Sequence, residues 1–206
     1  MPSKIVLAAL LLALVSPLSH AADAAAGKTA YVICTTCHGA NGEGNAALNA
    51  PAIAGQEAWY VERQLKNYKT GIRGTHSKDT FGMQMRPMAM TLASDLAVAN
   101  VAAYIENLPP TAITHTTSGD ATKGKTGYMV CATCHGANGK GLAAMNAPNL
   151  TIQQDWYIAR QIANYKSGAR GSDPKDIFGM QMKPMAGVLA TDAAINDVLA
   201  YIKSLK

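Results

Sequence analysis

One short pattern, C-x-x-C-H, occurs twice in this chain of 206 residues and constrains its fold more than any other feature. The two copies span residues 34–38 and 131–135, which are 97 positions apart. The same shift of 97 aligns residues 31–105 with residues 128–202 without a gap, and more than half of the aligned positions are identical. Because this period is about twice that of common solenoid repeats, each copy is expected to have a core of its own.

The unmatched stretch between the two copies contains Pro109-Pro110 and a threonine-rich run, which is typical of a linker. We therefore predict domain 1 at residues 22–107, a linker at residues 108–119 and domain 2 at residues 120–206. No segment shows the sustained alternation of a β-strand, so we expect an all-α fold of two tandem domains. Predicted helices cover residues 24–34, 59–70 and 95–107, with copies at residues 121–131, 156–167 and 192–206, and Asp23 and Asp120 are candidate N-caps.

The N-terminus has the pattern of a secretory leader at residues 1–21. Lys4 is followed by an apolar run over residues 5–15, and small residues lead to a predicted cleavage site after Ala21. The run is shorter than the roughly 20 residues that a membrane-spanning helix needs. The sequence thus predicts export to the periplasm, and peripheral association with a membrane surface is compatible with it.

The formal charge of +5 falls to +4 once Lys4 leaves with the leader. Lysine and arginine are scattered along the chain, so the sequence does not predict nucleic-acid binding. Only 6% of the residues are aromatic, which leaves little apolar bulk for two small cores. A large buried cofactor in each domain would supply that bulk.

The four cysteines would suggest two disulfides in an exported protein, but their spacing indicates covalent haem attachment. Cys34 and Cys37 in domain 1, and Cys131 and Cys134 in domain 2, would add to the haem vinyl groups. His38 and His135 would then bind iron from the same side. A thioredoxin-like redox pair or half of a zinc site is the alternative interpretation of each motif. Two copies of the full motif favour two covalently bound haem c groups.

Pro51 and Pro148 each follow the motif histidine by 13 residues. Their carbonyls are candidates to accept the histidine ring N–H, although a simple loop proline is an equally good interpretation. A methionine cluster further along each copy offers a second axial ligand, because His with Met is a standard pair in c-type haem proteins. The other methionines would fill gaps around the cofactor. The clusters contain Met83, Met85, Met88 and Met90 in the first copy, and Met180, Met182 and Met185 in the second.

The order of motifs in each copy resembles the dihaem cytochrome c4 family. These motifs are C-x-x-C-H, Asn-Ala-Pro, Trp-Tyr-x-x-Arg-Gln, Gly-x-Arg-Gly and Met-x-Pro-Met-Ala. The resemblance implies that Met85 and Met182 are the axial ligands, seven residues before Leu92 and Leu189, with Met88 and Met185 as the next candidates.

The same resemblance implies that the two domains pack about a pseudo-twofold axis with their haem propionates close together. Candidate propionate donors are Trp59, Tyr60, Gln64 and Arg73, with Trp156, Tyr157, Gln161 and Arg170 as their copies. Ordinary core or surface roles are the alternative for each. The resemblance also implies a close contact between the first and last helices of each domain, at Gly27 with Tyr104 and at Gly124 with Tyr201.

The function predicted from these features is electron transfer rather than catalysis. Paired His and Met ligands leave the iron no open position for a substrate. Expected partners are a donor such as quinol–cytochrome c reductase and an acceptor such as a terminal oxidase. The alternative is a haem subunit of a larger enzyme, or a dihaem enzyme such as a peroxidase or a sulfur-compound dehydrogenase. His76 and His115 have no counterpart in the other copy and are expected on the surface.

Overall fold

A computed structural model describes residues 21–205 and shows two helical domains of the same design. Domain 1 consists of α1 (Ala24–Tyr31), α2 (Thr35–His38), α3 (Ala58–Lys69), α4 (Thr80–Met90) and α5 (Asp95–Asn107). Domain 2 consists of α6 (Ala121–His135), α7 (Asp155–Lys166), α8 (Ile177–Gly187) and α9 (Asp192–Ser204). Within residues 21–205, β-pairing is limited to two isolated bridges, so the all-helical prediction is confirmed. Apart from Ala21, the predicted leader lies outside the described residues.

The helix that enters each C-x-x-C-H motif starts as predicted. The carboxylate of Asp23 accepts hydrogen bonds from the first backbone amides of α1, and Asp120 does the same for α6. The predicted ends were wrong in both copies. In domain 1 the helix stops at Tyr31, and a 3-10 turn (Val32–Cys34) leads into α2, whereas in domain 2 the helix runs without a break to His135.

Two helices that the sequence did not predict, α4 and α8, carry the methionine clusters. Both contain an internal proline, Pro87 or Pro184, which lacks the N–H that a helix interior uses. The helices form nonetheless because a buried aspartate caps each one. Asp79 accepts from the Gly82 amide at 3.1 Å, and Asp176 accepts from the Gly179 amide at the same distance. The buried capping aspartates therefore outweigh the unfavourable effect of a proline inside each helix.

Each domain has its own apolar core, as the repeat predicted. In domain 1, α1 and α3 pack on α5, and in domain 2 the corresponding helices α6 and α7 pack on α9. The core residues occupy matching positions in the two copies, for example Tyr31 with Tyr128 and Val101 with Val198. Within residues 21–205, no single helix is long and apolar enough to cross a membrane; two consecutive helix pairs reach that length only together, and they are bent by 115° and 112°.

The crossing of α1 and α5 depends on Gly27. A Cβ at this position would lie 1.9 Å from the Asn100 carbonyl oxygen and 2.9 Å from the Tyr104 Cβ. Gly124 meets Asp197 and Tyr201 in the same way in domain 2. The absence of a side chain is what allows the two helices to touch.

We expect Gly27→Ala to lower the free energy of unfolding of domain 1 by about 1–3 kcal/mol, because the new methyl group must push backbone aside. Gly187→Ala is the matched control, since a Cβ there has no atom within 4 Å. In a helix that change should stabilise the protein by about 0.5 kcal/mol. Thermal and urea unfolding of the holoprotein measure both effects. Equal effects of the two substitutions would contradict the close helix contact.

The linker is fastened to domain 2 by Asp155. This carboxylate is 2% exposed and accepts hydrogen bonds from the backbone amides of Thr116, Thr117 and Trp156. The expected surface position of His115 was wrong: its side chain is only 7% exposed, and its Nδ1 lies 4.0 Å from the Asp155 carboxylate. His76 is half-buried. The repeat contains no sign of this anchor, because Ala58 occupies the position of Asp155 in domain 1.

Asp155→Asn should lower the free energy of unfolding by about 2 kcal/mol at neutral pH, because hydrogen bonds to a charged group are lost. Burial acts to raise the pKa of Asp155, but the amide hydrogen bonds outweigh it and hold the pKa below its usual value. The stabilisation is therefore present above about pH 4 and is lost as the pH falls through the lowered pKa. Urea titrations at pH 7 and at pH 3 should show a deficit of the variant that shrinks in acid. A constant deficit would contradict a role for the charge.

Candidate functional site

The two C-x-x-C-H motifs lie at helix ends, where a glycine with positive φ stops the helix directly after the histidine. Gly39 has φ 82° and Gly136 has φ 78°, a region that favours glycine. The hydroxyl of Tyr31 donates to the Gly39 carbonyl at 2.9 Å, and Tyr128 donates to Gly136 at the same distance. These contacts fix the chain direction after each motif, and sequence reasoning did not find them, although both tyrosines begin the repeated block.

Each motif histidine is held in one orientation by a proline carbonyl. His38 Nδ1 lies 2.8 Å from the Pro51 oxygen, and His135 Nδ1 lies 2.8 Å from the Pro148 oxygen. A carbonyl can only accept, so Nδ1 carries the proton and Nε2 keeps the lone pair that a metal needs. Burial lowers the pKa of both histidines, and the hydrogen bond to the proline carbonyl opposes that shift. The neutral, metal-binding form is thus favoured.

None of the four cysteines forms a disulfide. Burial, with a smaller effect of the Cys37 charge, raises the pKa of Cys34 to about 11, and burial also raises the pKa of Cys131. A raised pKa keeps these two thiols in the neutral form, which is less reactive than the thiolate. Among residues 21–205, no three His, Cys, Asp or Glu side chains converge as a metal site. This arrangement gives no support to the zinc alternative.

The methionine clusters separate into one sheltered residue per domain and several exposed ones. Met85 is half-buried and packs against the core of domain 1, and Met182 does the same in domain 2. Met88 and Met185 also reach the cavity described below, but they are 37% and 38% exposed. The position of Met85 and Met182 supports their assignment as axial ligands, which stays a prediction.

A single continuous, mostly apolar cavity runs through both domains. Both attachment motifs, both proline carbonyl positions and the sheltered methionines contribute to its wall. Its charged lining comprises four arginines and two aspartates, namely Arg63, Arg73, Arg160, Arg170, Asp79 and Asp176. The wall therefore carries an excess of two positive charges. An apolar cavity with an attachment motif in each domain and excess positive charge fits two haem groups that bear carboxylates.

The predicted propionate donors fall into two groups. Tyr60, Gln64 and Arg73, with their copies Tyr157, Gln161 and Arg170, line the cavity. Trp59 and Trp156 are absent from its wall and pack instead against the side chains of Arg63 and Arg160, at 5.0 Å and 4.9 Å from ring centroid to guanidinium carbon. The roles of all these residues towards propionates stay predictions, and for the tryptophans this placement does not support the role.

Arg63 and Arg160 were missed by the sequence analysis. Each of these arginines contacts the other domain, and the two sets of contacts match. Arg63 lies over the ring of Phe178 at 4.6 Å, and Arg160 lies over Phe81 at 4.1 Å. Each also donates to an asparagine of the other domain: Arg63 to Asn146 and Arg160 to Asn49. Contacts of this kind, made twice with the roles exchanged, are the mark of a twofold interface. The sequence did contain one sign of these contacts, because the only two phenylalanines of the chain are 97 residues apart, which is the length of the repeat.

Comparisons with known proteins agree with this architecture. The cytochrome c family model matches residues 24–109 and 121–206. Cytochrome c4 of Azotobacter vinelandii is 33% identical, over 93% of this chain and 93% of that protein. The thiosulfate dehydrogenase electron acceptor of Stutzerimonas stutzeri strain A1501 is 29% identical, over 91% and 90%. The crystal structure of reduced recombinant cytochrome c4 from Pseudomonas stutzeri superposes with a TM-score of 0.70 at 26% identity, covering 90% of this chain and all of that one.

Proposed function

The chain belongs to the cytochrome c4 family of dihaem electron carriers, with two covalently bound haem c groups, and we propose its electron donor, its electron acceptor and its location in the cell. It is a periplasmic carrier that takes single electrons from a respiratory donor, such as quinol–cytochrome c reductase, and passes them to a terminal oxidase or a similar acceptor. The observation that supports a pure carrier most strongly is that each domain contributes a buried histidine and a sheltered methionine to one cavity. With a histidine and a methionine bound to each iron, no position would be left for a substrate.

The residues of each domain have separate tasks in this proposal. Cys34 and Cys37, with Cys131 and Cys134, would attach the haems, and His38 and His135 would bind the irons through Nε2, since Pro51 and Pro148 hold the rings at Nδ1. Met85 and Met182 would each supply a thioether ligand to the iron, and such a ligand favours the reduced state. A bound haem supplies a one-electron couple between ferric and ferrous iron. The apolar wall of the cavity keeps water away from the iron, so the surroundings of the iron rearrange little when an electron is transferred.

A second candidate differs in the donor. The relative from Stutzerimonas stutzeri is named for accepting electrons from thiosulfate dehydrogenase, and it matches this chain over nearly its whole length. We infer that a sulfur-compound dehydrogenase is an alternative donor to this protein. In either case the chain itself transfers electrons and does not bind the sulfur compound.

Spectroscopy of the mature holoprotein tests the carrier proposal. Intact mass should show two haems per chain and no free thiol. The oxidised protein should be low-spin, with a Met-sulfur-to-iron charge-transfer band, and should bind added cyanide or azide only slowly. A high-spin haem that binds these anions rapidly would instead indicate an enzyme with an open iron. Reduction rates with purified thiosulfate dehydrogenase and with quinol–cytochrome c reductase would then separate the two donors.

A further inference from the structure

One peptide group in each domain joins the motif histidine to a side chain of the other domain. In domain 1 this is the peptide bond between Pro51 and Ala52. Its carbonyl accepts the ring N–H of His38 at 2.8 Å, and its own N–H donates to the Oε1 atom of Gln154 at 2.8 Å. A peptide group is planar and conjugated, so both hydrogen bonds act on one electronic unit. A side chain of domain 2 is therefore connected to the histidine of domain 1.

The matching peptide bond of domain 2 lies between Pro148 and Asn149. Its carbonyl accepts the ring N–H of His135 at 2.8 Å, and its own N–H donates to the Oε2 atom of Glu57 at 3.3 Å. The 97-residue shift of the repeat relates Glu57 to Gln154, so the geometry is the same in both copies. The acceptor differs, because one peptide group meets a carboxylate and the other meets a neutral amide.

Each acceptor is held in place by a further hydrogen bond. The Nε2 atom of Gln154 donates to the Glu43 carbonyl at 3.1 Å, so the Oε1 atom is the one that faces the peptide N–H. The Glu57 carboxylate also accepts from the Nε2 atom of Gln56 at 2.8 Å. Gln154 is buried and Glu57 is half-buried. Both acceptors are therefore kept beside the peptide groups.

Hydrogen bonds in series polarise one another, and a charged acceptor polarises them more than a neutral one. The Glu57 carboxylate draws the Asn149 N–H and thereby increases the negative charge on the Pro148 oxygen. That oxygen then accepts more strongly from His135, and the ring gains electron density at Nε2. The contact of 3.3 Å is longer than the 2.8 Å contact in domain 1. The charge outweighs this difference, because Coulomb interactions fall off only as the inverse of distance.

We propose that Glu57 is a positioning residue for the opposite domain, which acts through a peptide group on His135 and lowers the reduction potential of the domain 2 haem. A histidine with more electron density favours ferric iron, because ferric iron carries more positive charge than ferrous iron. The domain 1 haem lacks this effect, since Gln154 is neutral. The inference rests on the proposed carrier function.

Exchange of the two acceptors tests the proposal in the holoprotein, with the haems distinguished by the NMR signals of their methyl groups. Burial raises the pKa of Glu57, so the potentials are measured at pH 8, well above the ordinary range of a carboxylate. In Glu57→Gln, the ratio of ferric to ferrous domain 2 haem at a fixed applied potential should fall about fivefold, the difference between a charged and a neutral acceptor. The domain 1 ratio should stay nearly constant. Gln154→Glu should instead raise the domain 1 ratio.

The NMR signal of the histidine Nδ1–H proton in the reduced protein reports the hydrogen bond itself. In Glu57→Gln the His135 signal should move upfield, because its hydrogen bond to the Pro148 oxygen weakens, and the His38 signal should not move. Gln154→Glu should move the His38 signal downfield. If Glu57 acted only through its electric field, the potential would change while the His135 signal stayed in place.

Glu106→Gln is the matched control. Glu106 is exposed, and its carboxylate accepts from the Ala58 amide at 2.9 Å, directly after Glu57 in the chain. It therefore lies near Glu57 but is not bonded to either peptide group that holds a histidine. Its replacement should leave both Nδ1–H signals in place and should change the domain 2 ratio less than Glu57→Gln does.

An unmoved His135 signal in Glu57→Gln would overturn the proposal, as would equal changes in the two haems. Gln154→Glu also loses the hydrogen bond to the Glu43 carbonyl. If that variant fails to fold, Glu57→Gln decides alone, because a glutamine oxygen can still accept from the Asn149 amide. Failure of the carrier function is seen separately, since it would show in the wild-type protein as a high-spin haem or a missing one.

Discussion

Replacement of Met85 by alanine should open the iron of domain 1 and leave that of domain 2 unchanged. The oxidised variant should lose about half of the Met-sulfur-to-iron charge-transfer absorbance, because one of two axial sulfurs is gone. Its domain 1 haem should become partly high-spin, bind cyanide or imidazole rapidly, and show a lower reduction potential. Absorbance, EPR and ligand-binding titrations of the purified holoprotein measure these changes.

The control for this experiment is Met88→Ala in the same helix. Met88 reaches the same cavity, but it is 37% exposed, whereas Met85 is half-buried. Its replacement should leave the charge-transfer band intact. Met182→Ala should reproduce the Met85 phenotype in domain 2. If Met88→Ala abolished the band and Met85→Ala did not, the axial ligand would be Met88.

Substitution of both cysteines of one motif should remove one haem and unfold one domain. In the double variant Cys34→Ser/Cys37→Ser, no covalent bond holds the first haem, so intact mass should fall from two haems per chain to one. The cofactor binds only the folded domain, and its loss withdraws that stabilisation. Cys34 itself packs against the domain 1 core, whose few large side chains surround the cavity. Helical circular dichroism should therefore drop by about half if domain 2 folds alone.

The neighbouring Thr35→Ala/Thr36→Ala variant is the matched control, because it alters the same helical segment and leaves both thiols. It should retain two haems and the full helical signal. Cys131→Ser/Cys134→Ser should give the mirror result, with the haem of domain 1 retained. Two covalent haems in the Cys34→Ser/Cys37→Ser variant would contradict attachment at this motif.

Local patterns predicted much of the fold. The caps at Asp23 and Asp120 and the helices near residues 59–70 and 95–107 depend on neighbouring residues, and they were found. The helices of the methionine clusters were missed, because Pro87 and Pro184 disfavour a helix locally. Their caps, Asp79 and Asp176, become effective only once the fold buries them. The linker anchor at Asp155 was missed for a related reason, since its partners lie 38 and 39 residues away.

The sequence by itself determined the number of domains, the number of haems and the residues that attach them. The two thiols and the histidine of each motif lie within five consecutive residues, so the attachment chemistry is encoded in the spacing. Only the tertiary structure decided which methionine is sheltered in each cluster, and that Gln64 and Arg73 meet Gln161 and Arg170. Those contacts join residues 88 and 106 positions apart, and they exist because two copies of one surface face each other.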